Sequence, residues 1–290
     1  MVYKSIPNFM KKFYITIMGL LIGSSTLLAQ EFQGQAIYQS KTFFDIKLDS
    51  SKMSSEMQKN IKEMLKRQME KTFELNFNKT ASTYNEQAKL EQPGSGQGVM
   101  QFLSSGANNV YYKDTKQKTY ANQTELFGKI FLIKDSLPNL EWKLEKESKM
   151  IGNHLCFKAT AEKKRARMQT NFRGGSKNNS KKDEKPIDSL PETILITAWY
   201  TPQIPVNQGP NEYWGLPGLI LEVGFGKTIL LCTKIVLNPK DKDSIAIPNK
   251  GKEVSQAEFD DIVDKKMKEM QDQYGGKNRK NGEINIRIGN

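Results

Sequence analysis

Histidine and cysteine are nearly absent. The 290-residue chain holds one histidine, His154, and two cysteines, Cys156 and Cys232. A structural zinc site wants four nitrogen or sulfur ligands, and only three such side chains exist. A Cys-His or Ser-His-Asp arrangement would have to use His154, and "NHLCFKA" brings no visible orienting base or oxyanion site. Phosphate-binding and dinucleotide fingerprints are missing too, since "GGSKNNSKK" lacks the strand and helix that such a loop needs. No catalytic residue, metal or cofactor is expected. A mean hydropathy of -0.63 excludes a multi-span membrane protein.

Long apolar runs are equally scarce. "FYITIMGLLIGSSTLLA" follows Lys4, Lys11 and Lys12 and ends in "LAQE". A basic head, a short apolar middle and a small terminal residue describe a secretory signal peptide over 1–30. The run is shorter than the ~20 residues a membrane span needs. The mature chain is therefore expected to be exported, to the periplasm or the outer-membrane boundary, and not to span the membrane.

Charge is plentiful and basic. The formal net charge is +12, and removing the three leader lysines takes it to +9. The segment Lys163 to Lys185 carries nine Lys/Arg against Asp183 and Glu184. Its Gly, Ser and Asn content predicts a solvated loop. An anionic surface such as lipid headgroups or lipopolysaccharide is one partner it suits. Nucleic acid, the usual partner of such a run, is rarely met by an exported protein and is set aside.

Periodicity supplies the fold. "EFQGQAIYQSKTFFDI" alternates as an opening strand, and Met57, Ile61, Met64, Leu65 and Met69 then form one helical stripe. From Thr72 to Glu162 the period is two, interrupted by the Gly/Ser-rich "EQPGSGQGVMQFLSSGANN". Short strands without crossover helices predict an antiparallel meander. "ETILITAWYTPQIP" adds a strand, and "LILEVGF" with "ILLCTKIVLN" reads as a hairpin. In that hairpin Ile229, Leu231, Thr233 and Ile235 are expected to face the core. Ser255 and Glu258 match a capping box, opening a helix whose apolar face is Phe259, Ile262, Val263, Met267 and Met270. The expected class is α+β, with a curved, mainly antiparallel, half-barrel-like sheet of seven to ten strands. One helix lies in the N-terminal half and one near the C-terminus. A single domain spans 31–274, followed by a basic tail, 275–290.

Between the last strands lies the densest cluster of aromatic, proline and glycine residues. Trp199, Tyr200, Pro210, Tyr213, Trp214, Gly215, Leu216, Pro217, Gly218 and Leu219 are the candidate ligand- or partner-binding residues. Rigid apolar side chains suit binding and equally suit covering the open end of a sheet. Leu216-Pro217-Gly218-Leu219 fits a type II turn with positive φ at Gly218. Glu222 is placed on the less buried face of its strand. Cys156 and Cys232 can pair as a disulfide in an exported chain, or lie buried as small hydrophobes; spacing leaves both open.

"GLPGLILEV" is similar to the signature of the GLPGLI family, exported proteins of Bacteroidota. The wider "AWYTPQIPVNQGPNEYWGLPGLILEV" and the upstream "MIGNHLCFKATA" resemble that family's extended pattern. The likeness covers nearly the whole mature chain, although the Lys163–Lys185 loop is longer and more basic than the family's usual connection. The resemblance implies fold and export, and no activity. A concave sheet crossed by a helix is also similar to the half-barrels of periplasmic lipoprotein carriers. The expected function is therefore a non-enzymatic envelope binding protein, holding a hydrophobic ligand or lipid against the sheet. The alternative is an accessory module that binds another envelope protein of an uptake or secretion complex.

Overall fold

The computed structural model describes residues 32–43, 54–59, 63, 70–87, 109–164, 193–241 and 243–275. The expected leader, the Gly/Ser-rich stretch 88–108, positions 61, 64, 65 and 69 of the methionine stripe, most of the basic run and the tail from 276 lie outside them. Among the described residues, twelve strands form one sheet. Six run in sequence order as a meander: β1 (Gln33–Thr42), β2 (Thr72–Asn78), β3 (Ala81–Glu86), β4 (Val110–Asp114), β5 (Thr119–Leu126) and β6 (Lys129–Ser136). A second meander follows: β7 (Lys143–Ile151), β8 (His154–Lys164), β9 (Thr193–Thr201), β10 (Leu219–Phe225) and β11 (Thr228–Leu237). Strand β11 returns to pair with β1, giving the order β12-β6-β5-β4-β3-β2-β1-β11-β10-β9-β8-β7. All pairings are antiparallel except that of β12 (Lys252–Val254) with β6. The class is α+β with a curved sheet, and β3 and β12 are strands the sequence pattern leaves unread.

The chain connectivity itself requires the curvature. Strands β6 and β7 lie ten positions apart in the sheet order, about 48 Å if the sheet were flat. Only residues 137–142 join them, and seven Cα steps reach at most about 25 Å. The sheet must curl until its two halves face each other across one concave side.

That side holds the main core. Ala36, Tyr38, Leu75 and Phe77 are fully buried, as the alternation in β1 and β2 predicts. They continue into Ala159, Ile196, Ala198, Tyr200, Ile220, Val223 and Leu230. The outer face has a smaller core where Ala81, Tyr112, Ala121 and Leu132 pack with Ile245. The segment carrying Ile245 is tied down as Gln33 Nε2 donates to the Asp243 carbonyl at 2.6 Å. Strands β4 to β6 are thus covered on both faces, which explains the near-continuous apolar run in "KIFLIKD".

Helix α1 (Gln256–Gly275) begins where expected. Ser255 N–H donates to Glu258 Oε2 at 2.7 Å and Glu258 N–H to Ser255 Oγ at 3.2 Å, a reciprocal capping box. Phe259 meets Phe131 edge-on at 5.4 Å, while Ile262, Val263 and Met267 are half-buried. The chain is also helical at 55–59, where Ser54 Oγ accepts from Met57 N–H, and Met57 itself is exposed. Among the described residues no helix is long and apolar enough to cross a membrane.

The phase of β11 differs from the expectation. Leu230 and Cys232 are buried, whereas Leu231 is exposed. Tyr38 pairs with Cys232 but Ile37 with Lys234, so Thr233 is an extra residue in the ladder. This bulge returns Ile235, opposite Ala36, to the concave side. Ile229, Leu231 and Thr233 therefore lie on the outer face. Apolar residues on both faces of "ILLCTKIV" conceal that phase in the sequence.

Candidate functional site

The connection 202–218 between β9 and β10 enters the curled sheet. Ile204, Val206, Gln208, Tyr213 and Leu216 are buried. The loop is pinned to β10 as Leu219 N–H donates to the Ile204 carbonyl and Ile220 N–H to that of Gln208, both at 3.0 Å. Across the concavity it reaches β3, where Ser82 Oγ donates to Gln208 Oε1 at 2.9 Å. At the end of β4, Thr115 Oγ1 donates to Asn207 Oδ1 at 3.1 Å. Two indoles clasp the loop to the 137–142 crossing: Trp142 Nε1 donates to the Trp214 carbonyl at 2.8 Å, and Trp214 Nε1 to that of Pro138 at 2.9 Å.

At the centre sits a residue that the sequence reading passed over. Lys113 of β4 is wholly buried, and its Nζ donates to three carbonyls of the loop. These are Gly209 at 2.5 Å, Asn211 at 2.7 Å and Tyr213 at 3.3 Å. Burial pushes the Lys113 pKa down to about 7, with the Glu212 carboxylate pulling it partly back. Glu212 itself accepts from Lys163 Nζ of β8 at 2.6 Å. Burial likewise raises the phenols of Tyr111 and Tyr213 well above their usual range, and Glu212 adds to both. The available signal was position: Lys113 shares a strand face with Tyr111, the face that turns inward.

The sequence-selected cluster is only partly one site. Tyr200, Tyr213 and Leu216 are buried in one cluster with Ile220 and Val223, Pro210, Gly218 and Leu219 are buried outside that cluster, Trp214 is half-buried, and Gly215 and Pro217 are exposed. Trp199 is separated from them on the outer face, with Lys149 Nζ 4.3 Å from its ring centroid. The same ammonium donates to Glu222 Oε2 at 2.7 Å, so Glu222 does occupy the less buried face.

The turn is not type II. Gly218 N–H donates to the Leu216 carbonyl two residues back, at 2.8 Å, which closes a three-residue turn around Pro217. Positive φ falls at Gly215, +92°, not at Gly218. Gly218 is required for another reason: a Cβ there would lie 2.2 Å from the Thr201 carbonyl oxygen.

The two cysteines are free and buried. Strands β9 and β10 separate β8 from β11, about 14 Å of strand spacing and well beyond disulfide reach. The disulfide reading is thus corrected to the buried-thiol one. Burial pushes Cys156 to about 11 and Cys232 to about 12, so neither is a ready nucleophile. We expect both thiols to resist an aromatic disulfide reagent until the chain unfolds, with an intact mass showing no loss of two hydrogens. Prompt reaction of either would contradict the packing. His154 Nδ1 lies 3.0 Å from Gln203 Oε1. Among the described residues no group of three or more His, Cys, Asp or Glu is placed to hold a metal.

No curated protein matches the chain. Six chains of solved structures do. Two are structures of PNGF-II in C2 and P21 crystal forms, each 14% identical over 80% of this chain, with TM-scores of 0.45 and 0.44. This chain spans about a third of their length, 32% and 33%. Residues 142–222, which contain β7 to β9, the inserted loop and the first half of β10, match the model of a family described as "Protein of unknown function (Porph_ging)".

Proposed function

We propose that this chain is an exported, non-enzymatic interaction module of the GLPGLI type, acting in the periplasm or at the outer-membrane boundary. One observation carries the choice over a lipid carrier: the concave side of the sheet is taken by the chain's own 202–218 loop. Gln208, Asn207 and the Lys113 ammonium make that interior polar as well as full, a poor environment for an acyl chain. The loop then serves as an internal plug, and partners meet the outside. The eight Lys/Arg of 164–185 favour an anionic partner surface, from an envelope protein or from lipid headgroups.

Native mass spectrometry of the mature protein, purified from envelope extracts of its host, tests this reading. The expected result is the bare mass of the leaderless chain, with a discrete protein partner captured by crosslinking. A co-purifying mass in the lipid range, released by organic solvent, would overturn it in favour of carriage.

A further inference from the structure

We propose that two copies of this chain join edge to edge along β7, antiparallel, with Glu147 on the two-fold axis. Strand β7 ends the sheet and pairs only with β8; among the described residues nothing pairs with its outer edge. The opposite edge is blunted, since β12 is three residues long. The nine residues of β7 leave a long ladder free, and two of them are exposed apolar side chains. Leu144 is 57% and Met150 61% exposed. Both lie on the concave-side face of the sheet, opposite Ala159 and Leu155 respectively.

The sequence of β7, KLEKESKMI, is self-complementary about its centre. With Glu147 on the axis, Leu144 of one copy meets Met150 of the other, and Glu145 falls opposite Lys149, whose ammonium already donates to Glu222 within its own copy. Each pairing occurs twice by symmetry. Residues directly opposite in an antiparallel pair share a face, so the apolar pair falls on one side of the joined sheet and the charge pair on the other. Moving the register by one residue sets Leu144 against Lys149, or Glu145 against Met150. The pattern therefore selects one register.

Glu147 would meet its own copy, but its carboxylate already accepts from Lys158 Nζ at 2.7 Å, so its charge is matched within each copy. Residues 145–147 face Lys158 alone across the β7–β8 ladder, so the strand is bent at the axis position. Charged, bent edges usually keep strands apart. Here the charges of Glu147 and Lys149, each matched within its own copy, oppose an unrelated strand, while the exposed Leu144 and Met150 match a second copy, which is how a specific edge is built.

Cysteine scanning of the mature chain tests the register. Residues that face themselves across an antiparallel pair have Cα atoms about 4.5–5.5 Å apart, within disulfide reach, and the native thiols are buried. Glu147→Cys is expected to give a covalent dimer under mild oxidation, at least about tenfold faster than Lys146→Cys or Ser148→Cys. In sedimentation equilibrium the unmodified chain is expected to dimerise. Leu144→Glu should weaken association about tenfold or more, and adding Met150→Lys, which faces it across the axis, should restore it. A chain that stays monomeric, faster crosslinking from position 146 or 148, or an added Met150→Lys that fails to restore a dimer would each overturn the proposal.

Discussion

Replacing Lys113 by methionine is expected to lower stability by about 3 kcal/mol near pH 9, because methionine keeps much of the volume but donates nothing. The carbonyls of Gly209, Asn211 and Tyr213 would lose their common donor, and each buried acceptor without a partner costs about 1–3 kcal/mol. At pH 9 the folded side chain is already a neutral amine, so no buried-ammonium penalty is relieved, and its two N–H groups set the size of the loss. The deficit should depend on pH. Native Lys113 titrates near 7, below its ordinary value of 10.5. Above 10.5 both folded and unfolded chains carry a neutral amine, and its contribution is complete. Between 7 and 10.5 only the unfolded chain binds the proton, so the contribution rises by about 1.4 kcal/mol for each unit that pH increases. Below 7 it is constant. The gap between wild type and Lys113→Met should therefore widen as pH rises from 7 towards 10. The buried tyrosines cancel in this difference because both proteins contain them. Urea unfolding of the pair at pH 7, 8 and 9 measures it, and a gap that does not change with pH would refute the placement of Lys113.

Gly218→Ala is expected to cost at least about 3 kcal/mol, or to prevent folding, through overpacking against fixed backbone. The new Cβ would meet the oxygen and carbon of Thr201 at 2.2 and 2.5 Å and the Pro202 nitrogen at 2.9 Å. No flexible side chain stands there to move aside. Gly224→Ala on the same strand is the matched control, because its nearest neighbour would be the Thr197 oxygen at 3.9 Å. It should change stability by less than about 1 kcal/mol. Gly218→Asn separates two explanations. If the glycine served a left-handed turn, asparagine would be partly tolerated; if close approach decides, asparagine fails as badly as alanine. Equal loss for alanine and asparagine is the expected outcome.

The meander and the capping box are features of local pattern, which a sequence displays directly. Alternation in "QAIYQS" points Ala36 and Tyr38 inward, where both are fully buried. What escaped depends on the third dimension. The bulge at Thr233 is invisible because apolar residues stand on both sides of it. Gly218 carries the composition of a type II turn, but the Thr201 backbone that dictates it is seventeen residues away in sequence. Lys113 looks like a solvated lysine until the sheet curls and brings a loop from almost a hundred residues further along over it. Trp199 joined the cluster by adjacency to Tyr200, yet strand alternation sends neighbours to opposite faces.

Hydrogen exchange of the backbone amides in the 202–220 segment tests the central claim, that this loop is built into the sheet as a plug. The N–H groups of Tyr213, Gly215, Gly218, Leu219 and Ile220 all donate to carbonyls within the loop or its base. The account predicts that they exchange as slowly as those of β9 and β10, through the same cooperative opening. Exchange of the loop amides far ahead of the flanking strands would show a loop that leaves the concave side free, and the carrier reading would then take precedence.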